Sequence, residues 1–169
     1  TDRPSRILQT NSAGTDVFVF DPNTMEQVGY IPNLPLNHGA TVHADGTFYY
    51  FTNEHEQTVD VVNTRTFEVE HRIQLANGPH NLSASMRARK VYVAIIAEPL
   101  IQVIDMDSHE VIANIETGGG VHNTFVTPDG RYAVGGMIGA SEIIAIDTET
   151  DEVLWEMSIP YTQKPFTGG

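Results

Sequence analysis

The sequence predicts an all-β protein made of four-stranded antiparallel blades, and three observations lead to this fold class. First, an apolar run that ends in an acidic or amide residue and a polar turn recurs every 42 residues, at Asp21, Asn63, Asp105 and Asp147. Second, each period holds four short runs with the polarity pattern of β-strands, separated by turn residues. Third, no stretch has a helical periodicity of useful length. Four antiparallel strands that repeat about every 40–45 residues are typical of a β-propeller.

The last full period shows how the strands are recognised. Residues 121–127 form the first strand, and the Pro-Asp-Gly sequence at 128–130 is a tight turn into the second strand at 131–137. Apolar runs at 142–150 and 152–159 supply the third and fourth strands. The first strand of each blade is expected to be the innermost strand, as in other propellers.

Applied to the whole chain, this pattern divides it into nearly four blades. We assign an incomplete blade without an inner strand to 5–33, full blades to 36–76, 78–118 and 120–160, and the start of a next blade or a tail to 161–169. Closed propellers have about four to eight blades. The tail is a poor closing strand because it contains Pro165 and ends in two glycines. We therefore favour a piece of a longer propeller, or two copies that form a ring of about eight blades.

Charge and composition exclude several classes of partner. Twenty-two acidic residues against nine basic residues give a net charge of −13. Such a surface repels phosphate backbones and anionic lipids, so we expect no nucleic-acid partner. No apolar run reaches the ~18 residues that a bilayer span requires. The absence of cysteine excludes thiol chemistry and disulfides, and it is compatible with an oxidising compartment.

Three histidines follow the same period and are the candidate metal ligands: His38, His80 and His122. An asparagine adjoins each of them, and we take Asn37, Asn81 and Asn123 as candidate ligand-binding residues. If the series starts the inner strands, its imidazoles lie at one mouth of the central channel. Imidazole is the commonest metal ligand, and three neutral imidazoles suit copper or zinc. No catalytic residue is assigned.

Other interpretations of this series remain open. A residue that recurs in every blade often has a structural role within its own blade or lines the channel. A haem-like cofactor or another organic ligand is less favoured than a metal. In a wide ring, equivalent positions on adjacent blades also lie too far apart to share one ion.

The remaining sequence features have simpler explanations. His43, His55, His71 and His109 do not repeat, and we expect them to be solvated or locally bonded. The recurring Asp or Asn is expected to cap its own turn. Trp155 and the aromatic run at 48–51 are expected in the core between blades.

Three short segments resemble the YVTN-type β-propeller repeat family: residues 90–94 (KVYVA), 103–105 (VID) and 126–132 (VTPDGRY). The similarity covers residues 16–160. The same superfamily includes the propellers of cytochrome d1, nitrous oxide reductase and lactonases. The resemblance implies seven or eight blades in an intact protein and an exported, periplasmic or extracellular location.

The function predicted from the sequence is a propeller scaffold or binding protein whose histidine-lined channel mouth binds a ligand, a metal or a partner. The alternative is a metal- or haem-dependent redox or hydrolytic enzyme that uses the histidine ring. The expected partners are a second copy or the remaining blades of a longer chain.

Overall fold

A computed structural model describes residues 4–159 of the chain, and within them fifteen strands form four antiparallel sheets. The first sheet holds β1 (Ile7–Gln9), β2 (Val17–Phe20) and β3 (Gln27–Ile31); the second holds β4 (Ala40–Val42), β5 (Phe48–Asn53), β6 (Thr58–Asn63) and β7 (Val69–Gln74). The third holds β8 (Pro79–Ser85), β9 (Lys90–Ile95), β10 (Leu100–Asp105) and β11 (Glu110–Glu116); the fourth holds β12 (Asn123–Val126), β13 (Tyr132–Met137), β14 (Glu142–Asp147) and β15 (Val153–Ser158).

The sheets are arranged as the blades of a propeller, which confirms the predicted fold class. Strands follow one another in chain order within each sheet, and the first strands of neighbouring sheets, β4, β8 and β12, are in contact. The last strands are largely exposed, most of all β15. None of the described residues forms a helix with the length and apolarity of a membrane span. The stretch 161–169 lies outside the described residues.

Three apolar clusters fill the spaces between successive sheets. Val17 and Val19 of β2 pack against the second sheet, and Tyr92 and Ile101 of the third sheet pack against the fourth. Adjacent residues of one strand point to opposite faces of the sheet. On β5, Tyr50 packs in the cluster shared with the third sheet, and Phe51 packs in the cluster shared with the first sheet. Burial of one such side chain stabilises the fold by about 1.5–3 kcal/mol.

Trp155 was expected in a core between blades, and this expectation was wrong. Its side chain is 47% exposed on β15. It faces away from the third sheet, and no sheet of the described chain covers that side. The neighbouring sheet, rather than the residue's own apolarity, decides whether this position is buried.

The recurring Asp or Asn caps its own turn, as predicted. Oδ1 of Asp21 accepts from the backbone N–H of Asn23 at 2.8 Å, and Oδ1 of Asp147 accepts from that of Glu149 at 2.8 Å. Equivalent bonds form at the other two repeats, from Arg65 to Asn63 and from Asp107 to Asp105. In each turn the residue four positions later is left-handed, with φ between 57° and 61°: Met25, Phe67, His109 and Asp151.

Replacement of Met25 by glycine tests the strain in this turn. An L-residue with left-handed backbone costs roughly 1–2 kcal/mol, and glycine removes most of this cost. We expect Met25→Gly to raise the free energy of unfolding by about 0.5–1 kcal/mol, measured by urea denaturation. Met86→Gly is the matched control, because Met86 is also exposed but has an ordinary φ. An equal loss of stability in both variants would contradict the prediction.

Candidate functional site

The three repeated histidines meet at the start of the inner strands. His80 is the second residue of β8, and His38 and His122 lie just before β4 and β12. The ring centroids of His38 and His80 are 4.3 Å apart, with 22° between the planes. Those of His80 and His122 are 3.8 Å apart, with 40° between the planes. The repeat therefore places three imidazoles in one row, ring against ring; we call this row the histidine stack.

Each ring of the histidine stack has a different set of polar contacts. Nε2 of His38 lies 2.8 Å from a carboxylate oxygen of Glu54. Nδ1 of His80 lies 3.1 Å from the backbone carbonyl of His122, so this nitrogen carries the hydrogen and donates it. Nδ1 of His122 is buried and finds no hydrogen-bond partner among residues 4–159.

Burial is the main influence on the charge of the central ring. It lowers the pKa of His80 below the usual 6.5, and repulsion from His122 and His38 lowers it further. His80 is therefore neutral at pH 7. Because Nδ1 of His80 carries the hydrogen, the neutral ring keeps its lone pair on Nε2.

The stacked geometry decides what chemistry the rings can perform. A metal is bound in the plane of an imidazole ring, along the lone pair of a nitrogen. Rings that stack or tilt against one another in a row do not direct three such lone pairs at one point. Within the described part of the chain, no group of three or more histidine, aspartate or glutamate side chains could hold a metal ion.

The three asparagines form hydrogen bonds within the protein. Asn37 is fully buried; its Oδ1 accepts from the backbone N–H of Asn11 at 2.8 Å, and its Nδ2 donates to the carbonyl of Leu34. Nδ2 of Asn81 donates to Oδ1 of Asn123 at 3.1 Å, from one inner strand to the next. They fix the segments that carry the histidines, and direct contact with a ligand stays a prediction.

A second histidine group lies between the second and third sheets. The rings of His71 and His109 are 4.9 Å apart between centroids, and the His109 ring stands edge-on to Phe48 at 5.2 Å. The Tyr50 hydroxyl is 3.2 Å from Nδ1 of His109. His43 is nearly buried, and its Nε2 lies 3.2 Å from the backbone carbonyl of Met106 on the third sheet. We call His43, His71 and His109 the interface histidines.

The expectation of solvated or locally bonded histidines holds for His55 and His71, which are exposed, and fails for His109, which contacts Tyr50 of the preceding sheet. His55 is exposed and pairs with the adjacent Glu56 at 3.0 Å. His43 does bond locally, to Asp45 at 2.7 Å, but it also reaches the next sheet. His71 and His109 occupy different positions in their repeats, so the period gives no sign that they meet.

One feature of the repeat does locate His109. It is the left-handed turn residue of its sheet, equivalent to Asp151 in the next repeat. Tyr50 and Tyr92 are likewise equivalent, and the Tyr92 hydroxyl bonds Asp151 at 2.6 Å as the Tyr50 hydroxyl bonds His109. Burial lowers the pKa of His109, with repulsion from His71 and His43 as smaller causes.

These two lowered pKa values predict a loss of stability in mild acid. The unfolded chain binds protons at His80 and His109 near pH 6.5, while the folded chain takes them up only at lower pH, so the unfolding free energy falls as the pH drops below about 6.5. We expect this slope between about pH 7.5 and 5.5 to flatten in His80→Gln and in His109→Gln. His55→Gln, at an exposed position, is the control. An unchanged slope in both test variants would contradict the assignment.

Comparison with known proteins identifies the fold. The sequence matches no protein-family model and no curated protein. It is similar in structure to hydrazine synthase of Kuenenia stuttgartiensis, with a TM-score of 0.83 and 23% identity over 92% of this chain. It is also similar to the dihydro-heme d1 dehydrogenase NirN in complex with DHE, with a TM-score of 0.75 and 16% identity over 95% of this chain. The chain spans 46% and 36% of those two chains, and it has the β-propeller fold that they share with it.

Proposed function

We propose that the chain is part of a propeller-based binding protein whose histidine stack, at the channel mouth, binds a ligand. The observation that carries this proposal is the stack itself. Three imidazoles touch one another where the inner strands begin, and burial keeps the central His80 neutral. Neutral imidazole is the form that binds metals and accepts hydrogen bonds.

The ligand that suits this geometry best is a planar, haem-like molecule. The metal of such a molecule needs only one imidazole nitrogen from the protein. Copper or zinc bound by His38, His80 and His122 together needs three imidazole nitrogens that converge on one point. Nε2 of His80 and the ring of His122 are the groups that would hold such a ligand. The similar NirN structure is a complex with DHE, and this supports the same class of ligand.

A haem-dependent redox enzyme is the second candidate function. It is favoured by the two similar proteins, since one is a dehydrogenase and the other is a hydrazine synthase. A haem would supply one-electron chemistry when bound. The chain's own contribution would be the neutral imidazole of His80 to hold the haem, oriented by the bond from its Nδ1 to the carbonyl of His122. An exported location, expected from the resemblance and compatible with the absence of cysteine, belongs to this proposal.

Binding of haem to the untagged chain tests the ligand class. We expect iron protoporphyrin IX to bind with a Kd on the order of micromolar, with a shifted Soret band, because an imidazole ligates its iron. His80→Gln and His122→Gln should together weaken binding at least tenfold. The control is the double variant His55→Gln and His71→Gln, which has as many histidines as the first double variant. It should bind haem as the unmodified chain does.

Titration with copper and zinc separates the alternatives. A contrary result would be that the chain binds one copper or zinc ion and loses it only when His38, His80 and His122 are replaced. That result would favour the three-histidine metal site instead. Haem binding that is indifferent to the replacement of all three histidines would refute the proposed site.

We further propose that additional blades of the same repeat cover the fourth sheet. Trp155 and Met157 are 47% and 52% exposed on one face of β15. The residues 42 positions earlier are Ala113 and Ile115, and both pack in the cluster between the third and fourth sheets. The exposed face is therefore the repeat equivalent of a face that packs against the next sheet.

The unpaired nitrogen of the histidine stack supports the same conclusion. Nδ1 of His80 bonds the backbone carbonyl of the residue 42 positions later, which lies just before the next inner strand. Nδ1 of His122 is the equivalent atom, and within residues 4–159 it has no partner. A further blade would supply the equivalent carbonyl. The added blades come from a longer chain or from a second copy.

The mass of the isolated chain tests this proposal. We expect the 169-residue chain to associate and to have a mass above its 18.6 kDa, because open apolar sheet faces are seldom left in water. Trp155→Lys should shift the equilibrium to monomers. Ile112→Lys is the control, since Ile112 is 48% exposed on the outer strand of the third sheet, away from this face. A compact monomer of the unmodified chain at all concentrations would overturn the proposal.

A further inference from the structure

The interface histidines have no part in the proposed function, and two of them meet from different sheets. His71 lies on β7 opposite Val61, which in turn lies opposite Tyr50 on β5. Residues directly opposite one another share a face of the sheet, and both Tyr50 and Val61 pack towards the third sheet, so His71 points to that side as well. His109 reaches the same place from the third sheet, at the left-handed turn between β10 and β11.

Hydrogen bonds determine which nitrogen of His109 is free. The Tyr50 hydroxyl donates to the backbone carbonyl of Met106 at 3.3 Å, and its oxygen lies 3.2 Å from Nδ1 of His109. A hydroxyl has a single hydrogen, so Nδ1 of His109 donates to the Tyr50 oxygen and the lone pair of the ring is on Nε2. Metal-binding histidines commonly hold their second nitrogen in this way. Burial lowers the pKa of His109, so the ring is neutral at pH 7.

The ring of His71 is free to turn towards the same point. It is exposed, and within residues 4–159 it contacts the rings of Phe48 and His109 without a hydrogen bond to either of its nitrogens. Two imidazoles that bind one ion at about 2.0–2.1 Å from each nitrogen have ring centroids about 5 Å apart. The centroids of His71 and His109 are 4.9 Å apart, with 32° between the planes. This separation suits one ion held by both rings.

We propose that His71 and His109 bind a divalent transition metal ion, zinc or copper, between the second and third sheets. Imidazole is a ligand that both metals favour. The described chain supplies no group of three ligands, so the remaining coordination positions are left to water and the site is an open one. An ion held there links β7 to the turn of the next sheet, and it stabilises the contact between the two sheets.

The surroundings attract a cation and leave the third interface histidine out of the site. Nε2 of His43 lies 3.2 Å from a backbone carbonyl, and its Nδ1 lies 2.7 Å from Asp45, so both nitrogens are occupied. Asp105 and Asp107 are near enough to act on His109 with their negative charge. The net charge of −13 adds to this local field. The site uses no member of the histidine stack, so it stands whether or not that stack binds a ligand.

Titration of the protein with zinc chloride, followed by calorimetry, tests the inference. We expect binding with a Kd on the order of 10–100 μM. His71→Gln and His109→Gln should each weaken it at least tenfold, because each removes one of two ligands. His55→Gln is the matched control and should bind zinc as the unmodified protein does, since His55 is exposed and pairs with its neighbour Glu56.

A stability measurement completes the test. Zinc at about 1 mM should raise the urea midpoint of unfolding of the unmodified protein and leave that of His71→Gln unchanged. His71 is exposed, so its variant is expected to fold even if the His109 variant does not. No binding below about 1 mM zinc, or equal binding by His71→Gln, would overturn the inference. Zinc that is lost in His80→Gln and retained in His71→Gln would assign the ion to the histidine stack and would also overturn it.

Discussion

A sheet of this protein can bury its apolar faces only against another sheet, and the rest of the structure depends on this constraint. Tyr92 and Val93 are neighbours on β9, yet the first packs towards the fourth sheet and the second towards the second sheet. The core of each blade is thus shared with its neighbours. Stability is therefore distributed between blades through their interfaces, as in other repeat proteins. The constraint also explains the exposed face of the fourth sheet.

The same arrangement brings the histidine stack together. Because blades are copies placed around one axis, a residue repeated at the start of the inner strand lies beside its own copies. The spacing of 3.8–4.3 Å between ring centroids follows from contact between neighbouring inner strands. A residue that recurs for a purely local reason would still meet its copies there, so contact alone does not make a site. The neutral state of His80, which leaves a lone pair on Nε2, is what adds chemical capacity.

The period of the sequence predicted the strands, the capped turns and the meeting of His38, His80 and His122, because all of these depend on backbone position. It did not predict that the rings would stack, because ring orientation depends on individual bonds. Glu54, which binds His38, has Ile96 as its counterpart in the next repeat, so this bond has no equivalent there. The interface histidines were missed because they occupy unrelated positions of the repeat and meet only across an interface.

One pair of equivalent positions, the left-handed turn residue of a sheet and a residue of the sheet before it, carries different side chains at each interface. We call this pair the slot. At the first interface it holds Phe67 and Leu8, both within an apolar cluster. At the second it holds His109 against Tyr50, and at the third Asp151 against Tyr92.

Acid acts differently on each version of this slot. The apolar pair has no titrating group. Protonation of His109 places a positive charge 4.9 Å from the His71 ring, whereas Asp151 lies 2.8 Å from the ammonium group of Lys90. The histidine stack joins the second and third sheets at His38 and His80. The interface between these sheets thus has histidine contacts in two separate places, whereas the interface between the third and fourth sheets has one, at His80 and His122.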